Sequence, residues 1–490
     1  MNTKLLKQKI LDLAMRGKLT EQRKSDGTAR ELLERISAER TESKKSVSKA
    51  SLRTPSELLA PTSLRAKRSN PPQEAIKPID KDEAPFEIPA SWAWVKLGDI
   101  VAPMKSTSPK GDFFKYIDID SIDNSVCKIK APKIIETKKA PSRASRFTKA
   151  GDVLFSLVRP YLRNIAKVTE NDCIASTGFF VCSPILVNSD YCYYLLISNF
   201  AVNGLNHFMK GDNSPSISSR NMIDFTVPLP PIAEQRRIVA KIEEAFAEID
   251  AIEKKKESLK RHIAQARQKI LDLAIHGKLV PQNKADGTAL DLLKNITHDK
   301  PHYGKMGLDD VPFGIPENWC WCRLRDISES IQYGYNAPAK ESGRIKMIRI
   351  SDIHENEVKW DSVPYCDIDE KDIPIYSLKK NDILFARTGG TVGKSFIVTS
   401  LSEDAIYAGY LIRTRYGKNI NAQYTKFFME SNLYWEQLKD GCIATAQPNC
   451  NGKTLGKMKF PLPPLAEQNR IVAKIDELFA VLDQIEGNLV

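Results

Sequence analysis

The chain has 490 residues, 42% hydrophobic and 27% charged, which is enough apolar material for ordinary globular cores and a length that fits two to four domains. Its formal net charge of +12 and pI near 9.0 point to a polyanionic partner, most often nucleic acid, with a basic globular protein as the plainer alternative. No apolar run reaches ~18 residues, no secretory cleavage pattern opens the chain, and the nine cysteines are scattered. A membrane span, a signal peptide and a disulfide framework are therefore not expected, and a reducing, cytoplasmic setting is.

Residues 1–40 read as a helical segment, and within them QKILDLAMRGKLTEQRKSDGTARELLERI occupies 8–36. Residues 41–83, rich in Ser, Lys, Pro and Ala and without periodicity, read as a flexible linker. From 84 to 228, short alternating runs bounded by Gly, Asn and Pro predict β-strands, and YCYYLLISNF (191–200) predicts a short helix. Residues 229–297 form a second helical region. It opens on PLPPIAEQRRIVAKIEEAFAEIDAIE (228–253) and closes on QKILDLAIHGKLVPQNKADGTALDLLKNI (268–296). A polar break at 298–310 precedes another mixed segment, 311–458, in which LYWEQLKDG (433–441) predicts a helix. Residues 459–490 end the chain with PLPPLAEQNRIVAKIDELFAVLDQIE (461–486).

One helical sequence is thus present twice, and its second copy is cut across the chain ends. Joining Val490 to Met1 brings the copies into step: Phe246 to Gln268 spans 22 positions, and Phe479 through the junction to Gln8 spans 19. The mixed segments repeat as well, with 84–100 matching 311–327 and GDVLFSLVRP (151–160) matching NDILFARTGG (381–390). Such self-similarity predicts a pseudo-two-fold molecule with neighbouring termini.

Ile238, Ile242, Ala245, Ile249, Ile252, Lys256, Leu259, Ile263, Ala266, Ile270 and Leu273 follow 4-3 spacing, a coiled-coil seam. The split copy keeps it at Ile471, Ile475, Leu478, Leu482, Ile485 and Leu489, then Leu6, Ile10 and Leu13. Gly17 and Gly277 are placed to end the helices in the left-handed conformation, and PLPP stiffens each entry.

No catalytic constellation emerges. GGTVGKS (389–395) brings its first glycine one residue too close for a phosphate loop and precedes a strand, so it reads as a glycine hairpin. NPPQ (70–73) lacks the aromatic of an amino-methyltransferase signature, and no glycine-rich cofactor loop follows a strand. The six histidines have no metal spacing, DIDEKD (367–372) reads as solvated surface, and Cys320 and Cys322 read as packing residues on one strand. Donor-rich loops do better. KGDNSPSISSRN supplies Lys210, Asn213, Ser216, Ser218, Arg220 and Asn221, and TAQPNCNGK supplies Gln447, Asn449, Asn451 and Lys453. Amide and hydroxyl side chains can read base edges, and cations can read guanine or hold phosphates. Arg159, Tyr161 and Arg163 follow the GDVLF strand, where Arg387 and Lys394 lie in the second copy. Lys254, Lys255, Lys256, Lys260 and Arg261 form a basic stretch in the central helix, open to spacer phosphates or to solvent.

PLPPIAEQRRIVAKIEEAF, PLPPLAEQNRIVAKIDELF, the two QKILDLAxxGKL segments, GDVLF and NDILFARTGGTVGK together resemble the specificity subunit of type I restriction-modification enzymes. The long insert at 41–83 departs from that pattern, and so does the loop at 159–164, which lacks the glycines of its counterpart. The resemblance implies an α+β fold: two similar target-recognition domains separated by two long antiparallel coiled-coil helices in a pseudo-two-fold circular arrangement. It implies a non-catalytic subunit that binds double-stranded DNA, each domain reading half of an asymmetric bipartite target while the helices set the spacer. Methyltransferase subunits would bring S-adenosylmethionine, and motor-nuclease subunits ATP and Mg; no cofactor is expected in this chain. A catalytic DNA methyltransferase, a scaffold that never touches bases, and a specificity subunit of a methyltransferase-based defence system without restriction partners are the alternatives.

Overall fold

The computed structural model describes residues 2–50, 76–79, 84–296, 310–354, 357–442 and 449–489. The chain divides into two compact units, Met1–Lys254 and Lys255–Val490. Helix α1 spans Thr3–Met15, helix α2 spans Ile232–Ile275 and helix α3 spans Leu465–Gly487. At ~1.5 Å per residue, the 44 residues of α2 extend roughly 66 Å. Its first half belongs to the first unit and its second half to the second.

In the first unit, a four-stranded sheet runs in the order Lys133–Glu136, Phe113–Ile117, Cys173–Ser176, Ala144–Thr148. A three-stranded sheet runs Phe179–Cys182, Val153–Ser156, Ile165–Lys167. Ile117, Leu154, Ala166, Ala175, Phe179 and Val181 pack together in one cluster. Val153, Phe155 and Phe180 pack instead with Tyr191, Leu195 and Leu205 of the helices that follow. The GDVLF strand is therefore covered on both faces and buried at every position, so it shows no alternation.

The second unit repeats the plan. One sheet runs Ser328–Tyr333, Leu411–Tyr416, Ile383–Ala386, Ser395–Ile397, and another runs Tyr365–Cys366, Ile345–Ile348, Ala405–Tyr407. Its first sheet gains the strand Ser328–Tyr333, and its second sheet has no strand in the place of Ala144–Thr148. In each unit an antiparallel pair leads the chain into PLPP, Ala93–Lys96 with Thr226–Leu229 and Cys320–Arg323 with Lys459–Leu462.

Several boundaries differ from the sequence expectation. The helix that starts at Ala29 continues to Ala50, so the expected linker begins inside a helix; its Glu-, Lys- and Ala-rich run has ordinary helix propensity. Most of 51–83 and 298–309 lies outside the described residues, as does the junction of Met1 with Val490. The helix read at 191–200 is two helices, Ser189–Ile197 and Asn199–Asn206, broken where the Ser198 hydroxyl accepts the Ala201 N–H at 3.2 Å. The one read at 433–441 spans Asn432–Cys442.

The seam also differs. Ile238, Ile242, Ile249 and Ile263 are buried, but Ile252 is 48% exposed and Leu259 37% exposed. Toward the helix ends, Leu271, Ala274 and Ile275 are buried in place of Leu273, and in α1 Leu11, Ala14 and Met15 are buried while Leu13 is 41% exposed. An α-helix drifts about 20° per heptad against a 3.5-residue repeat. Here the helix ends follow their own 3.6-residue face into the mixed domains, where Leu11 joins Trp92 and Leu97, and Leu271 joins Trp319 and Leu324.

The repeated motif has a buried polar reason. Glu234 accepts the Trp92 indole N–H at 2.8 Å and the Gln22 amide at 2.6 Å, and Glu467 accepts the Gln282 amide at 2.6 Å. Gln235 accepts the Asn188 N–H and donates to the Pro230 carbonyl; Gln468 does the same with Asn421 and Pro463. Arg237 pairs with Asp26 and Arg470 with Asp286. Buried polar groups need such partners, so the Glu-Gln-x-Arg run fastens each long helix to the turn that follows Gly17 or Gly277.

Candidate nucleic-acid interface

In both units the same two loops are stitched together at one end of the sheet. In the first, Val158 bridges Ser216, the Leu157 carbonyl accepts the Ile217 N–H at 2.9 Å, and Arg159 N–H donates to Pro215 at 2.8 Å. In the second, Thr388 bridges Asn449, and the Arg387 carbonyl accepts the Cys450 N–H at 2.9 Å. Each second loop then ends in a capped helix, Ser218 capping Ser219–Asp224 and Asn451 capping Gly452–Lys457. The backbone frame is shared and the side chains on it are not.

The first loops align strand for strand in the register of GDVLFSLVRP on NDILFARTGG, so Arg159, Tyr161 and Arg163 share a loop, but not positions, with Arg387 and Lys394. The buried Asp152 and Asp382 correspond, so Arg159 falls opposite Gly389, Arg163 opposite Gly393, and Arg387 opposite Leu157. Arg159 (φ 47°) and Arg163 (φ 58°) hold the left-handed conformation that Gly389 (φ 75°) and Gly393 (φ 94°) supply in the second unit. That backbone costs a non-glycine residue about 1 kcal/mol. Arg163 offsets it by donating to the Ile197 carbonyl at 2.8 Å and to Asn199, and its burial lowers the guanidinium pKa. The segment Gly389–Thr391 is a turn between the antiparallel strands Ile383–Ala386 and Ser395–Ile397, so GGTVGKS is a glycine hairpin.

The candidate residues divide by what their side chains already do. Tyr161, Lys210, Asn213, Lys394, Asn449 and Lys453 are exposed. Arg159 is exposed and donates to the Asn213 carbonyl at 2.9 Å, which ties the two loops together. Ser216 is half-buried and bridges both Val158 and Lys210 through its backbone. Ser218 and Asn221 close a capping box on each other, Asn451 caps Thr454, and Arg220 pairs with Asp224. Arg163 faces the helices behind the loop. Gln447 lies outside the described residues.

Arg387 is half-buried, with its guanidinium 4.7 Å from the centre of the Tyr333 ring and a long contact of 3.4 Å to the Gly409 carbonyl. Its Nε is buried with no partner among the described residues. Next to it stands Tyr410, 65% exposed, whose carbonyl accepts the Arg387 N–H at 3.2 Å. Sequence reasoning passed over Tyr333 and Tyr410. STGFF (176–180) is echoed by YAGYL (407–411), which sets Phe179 opposite Tyr410, but that Phe179 is buried while Tyr410 is exposed is a tertiary fact. In the central helix Lys254, Lys255, Lys260 and Arg261 are exposed and Lys256 is half-buried. Cys322 is buried and Cys320 half-buried, and burial pushes the Cys320 thiol up to about 12. Among the described residues no helix is long and apolar enough to cross a membrane.

A frame built twice to present two dissimilar loop pairs, on a basic chain, defines a protein with two alike recognition modules suited to a polyanion. The family described as type I restriction modification DNA specificity domain matches the chain twice, at residues 89–261 and 316–489, and the chain belongs to it. Two Escherichia coli proteins, the type I restriction enzyme EcoAI and EcoEI specificity subunits, are each 24% identical over 99% of this chain and 90% of their own. Among solved structures, the HsdS subunit from Thermoanaerobacter tengcongensis is 26% identical with a TM-score of 0.52, covering 83% of this chain and 93% of that one. A chain from a study of complex assembly and conformational transition of the type I R-M system has 26% identity and a TM-score of 0.59, covering 83% and 94%. The protein is a specificity subunit with two target-recognition domains; its role is sequence-specific DNA binding and not catalysis.

Proposed function

We propose that each target-recognition domain reads one half of an asymmetric bipartite target through its paired loops, and that the long helices fix the unread spacer. The observation that carries this reading is the duplicated loop frame: Val158 with Ser216 and Thr388 with Asn449 hold the same backbone geometry beneath different side chains. One frame with two loop chemistries suits two different half-targets. Arg387 is the strongest candidate for a base reader, because a guanidinium braced on an aromatic ring presents donors that fit guanine O6 and N7. Lys210, Lys394 and Lys453 suit phosphates. The roughly 66 Å of α2 is long enough to bridge more than one DNA turn of ~34 Å.

The repeated helices would dock methyltransferase subunits, which would bring S-adenosylmethionine; motor-nuclease subunits would bring ATP and Mg. The similarity to type I restriction enzyme specificity subunits, and to a chain from a type I complex assembly, supports that partnership. Methylome sequencing of a host with and without this chain tests the reading. A split motif lost with the chain is the expected result, and an unchanged methylome overturns it. Replacing residues 311–458 with another such domain should then alter one half of the motif only.

A further inference from the structure

The two domains do not share the work of holding the DNA backbone. In the first, residues 128–149 carry eight Lys or Arg against a single Glu, a net charge of +7. The corresponding stretch of the second, residues 357–379, runs from the matching two-residue hairpin strand to just before the matching buried aspartate. It carries three Lys against six Asp or Glu, a net charge of −3. The hairpin strand and the buried aspartate that bound the two stretches match, whereas the strand Ala144–Thr148 has no counterpart, so the contrast lies between matched boundaries on a surface that the two domains build differently.

The basic strip lies on the hairpin strand Lys128–Ile129, the edge strand Lys133–Glu136, the turn Thr137–Lys139 and the strand Ala144–Thr148. Lys133 pairs with Asp118 and Lys139 with Glu136, whereas Lys130, Lys138 and Lys149 are exposed and form no ion pair among the described residues. In the second domain, Asp367 and Glu370 instead neutralise Lys340 and Arg344.

The strip is continuous with the candidate reading loops. The Arg143 carbonyl accepts the Thr177 N–H at 2.8 Å, the Gly178 carbonyl accepts the Leu157 N–H at 2.8 Å, and Leu157 in turn holds Ile217. A duplex seated on the loops would therefore run on to a surface of unpaired cations. A row of flexible ammonium groups suits a phosphate backbone, since each contact releases condensed counterions and needs no fixed geometry.

We infer that residues 128–149 are a phosphate-backbone anchor, so that the first domain supplies most of the salt-dependent, sequence-independent affinity while the second contributes chiefly base reading. This rests on the DNA-binding role of the chain but not on which bases its loops read.

The test uses the full-length chain and a fluorescein-labelled 40-bp duplex of random sequence, titrated between 50 and 200 mM KCl. Each phosphate contact adds about 0.9 to the slope of log affinity against log salt, so losing three lowers it by about 2.7. The variant Lys130→Ala/Lys138→Ala/Lys149→Ala should show that shallower slope, with a loss of affinity across the range roughly 40-fold smaller than that of the wild type. The matched variant Lys359→Ala/Lys371→Ala/Lys379→Ala in the second domain should leave the slope within about one of the wild type. The triple Lys→Arg variant of the strip should restore it, and unchanged melting curves would show that the fold is intact. An unchanged slope in the first variant, an equal drop in both Ala variants, or no rescue by arginine would overturn the anchor; the first result would also arise if the strip faced an acidic protein instead. Random DNA holds no chosen target, so these outcomes are separate from the methylome test of half-site reading.

Discussion

The Tyr191 hydroxyl donates to the carbonyl oxygen of Pro228 at 2.8 Å, and Tyr424 donates to Pro461 at 2.9 Å, with donor and acceptor 37 positions apart in each case. Proline has no N–H, but its carbonyl still needs a donor when buried. The two tyrosines supply it, and so tie the helices Ser189–Ile197 and Ala422–Phe428 to the strands that launch the long helices.

Removing either hydroxyl leaves a buried carbonyl unpaired. Tyr191→Phe and Tyr424→Phe should each cost about 1–2 kcal/mol, by nearly equal amounts, and the double variant should show additive losses because the sites lie in different units. Denaturant unfolding measures this. A cost in only one variant would mean the repeats are alike in sequence but not in energetics.

Gly17 (φ 67°) and Gly277 (φ 66°) end helices α1 and α2, and a Cβ there would lie 2.4 Å from Cγ of Pro89 and Pro316 respectively. Gly17→Ala and Gly277→Ala therefore combine a left-handed backbone with a ring clash, and each should cost about 2 kcal/mol or more. Equal melting temperatures for variant and wild type would refute the close approach.

Asp152 and Asp382 occupy the same position and should respond oppositely to amidation. Burial raises the Asp152 carboxyl above its ordinary value, so its neutral form is favoured in the fold and its contribution is lost as pH rises through that raised pKa. Asp152→Asn keeps an acceptor for the Lys149 N–H and should match or exceed wild-type stability at neutral pH, with any advantage fading as the pH is lowered. Asp382 instead holds Arg415 in a two-pronged pair at 2.6 and 2.7 Å, and Asp382→Asn should cost about 3 kcal/mol. Thermal melts across pH separate the two.

Arg163 and Lys394 were equal candidates as DNA contacts in the sequence. Arg163→Ala should lower the melting temperature, since it removes the donations to the Ile197 carbonyl and to Asn199 while alanine keeps the cost of the left-handed turn, and should alter DNA affinity only in step with that loss. Lys394→Ala should leave stability unchanged, weaken binding evenly across sequences and lower the salt slope by about one. If the loss for Lys394→Ala falls on one base pair alone, it is a base reader instead.

Which parts were legible follows from how far apart in the chain their causes lie. The split repeat, the two mixed domains and the long helix were readable because each copy certifies the other and helical periodicity is local. The glycine hairpin was readable because its spacing fails a phosphate loop. The seam was legible only in part. Spacing locates apolar positions, but whether Leu13 or Leu11 is buried depends on which domain packs against the helix end. The loop residues were the least legible. A Ser, Asn or Arg reads as a donor whether it faces DNA or caps a helix, and only the fold assigned Ser218, Asn221 and Asn451 to caps and Arg163 to Ile197.

By itself, the sequence determined the duplication, the absence of a recognisable catalytic set and the polyanion-seeking charge, since all three are counts and spacings along one chain. Only tertiary structure decided that Glu234 and Gln235 act as buried fasteners, that Arg387 rests on Tyr333, and that the basic strip is linked at Arg143, through Thr177 and Leu157, to the candidate loops. Each of those joins residues far apart in the chain, and distance in space, not order in sequence, sets the strength of a hydrogen bond or a charge.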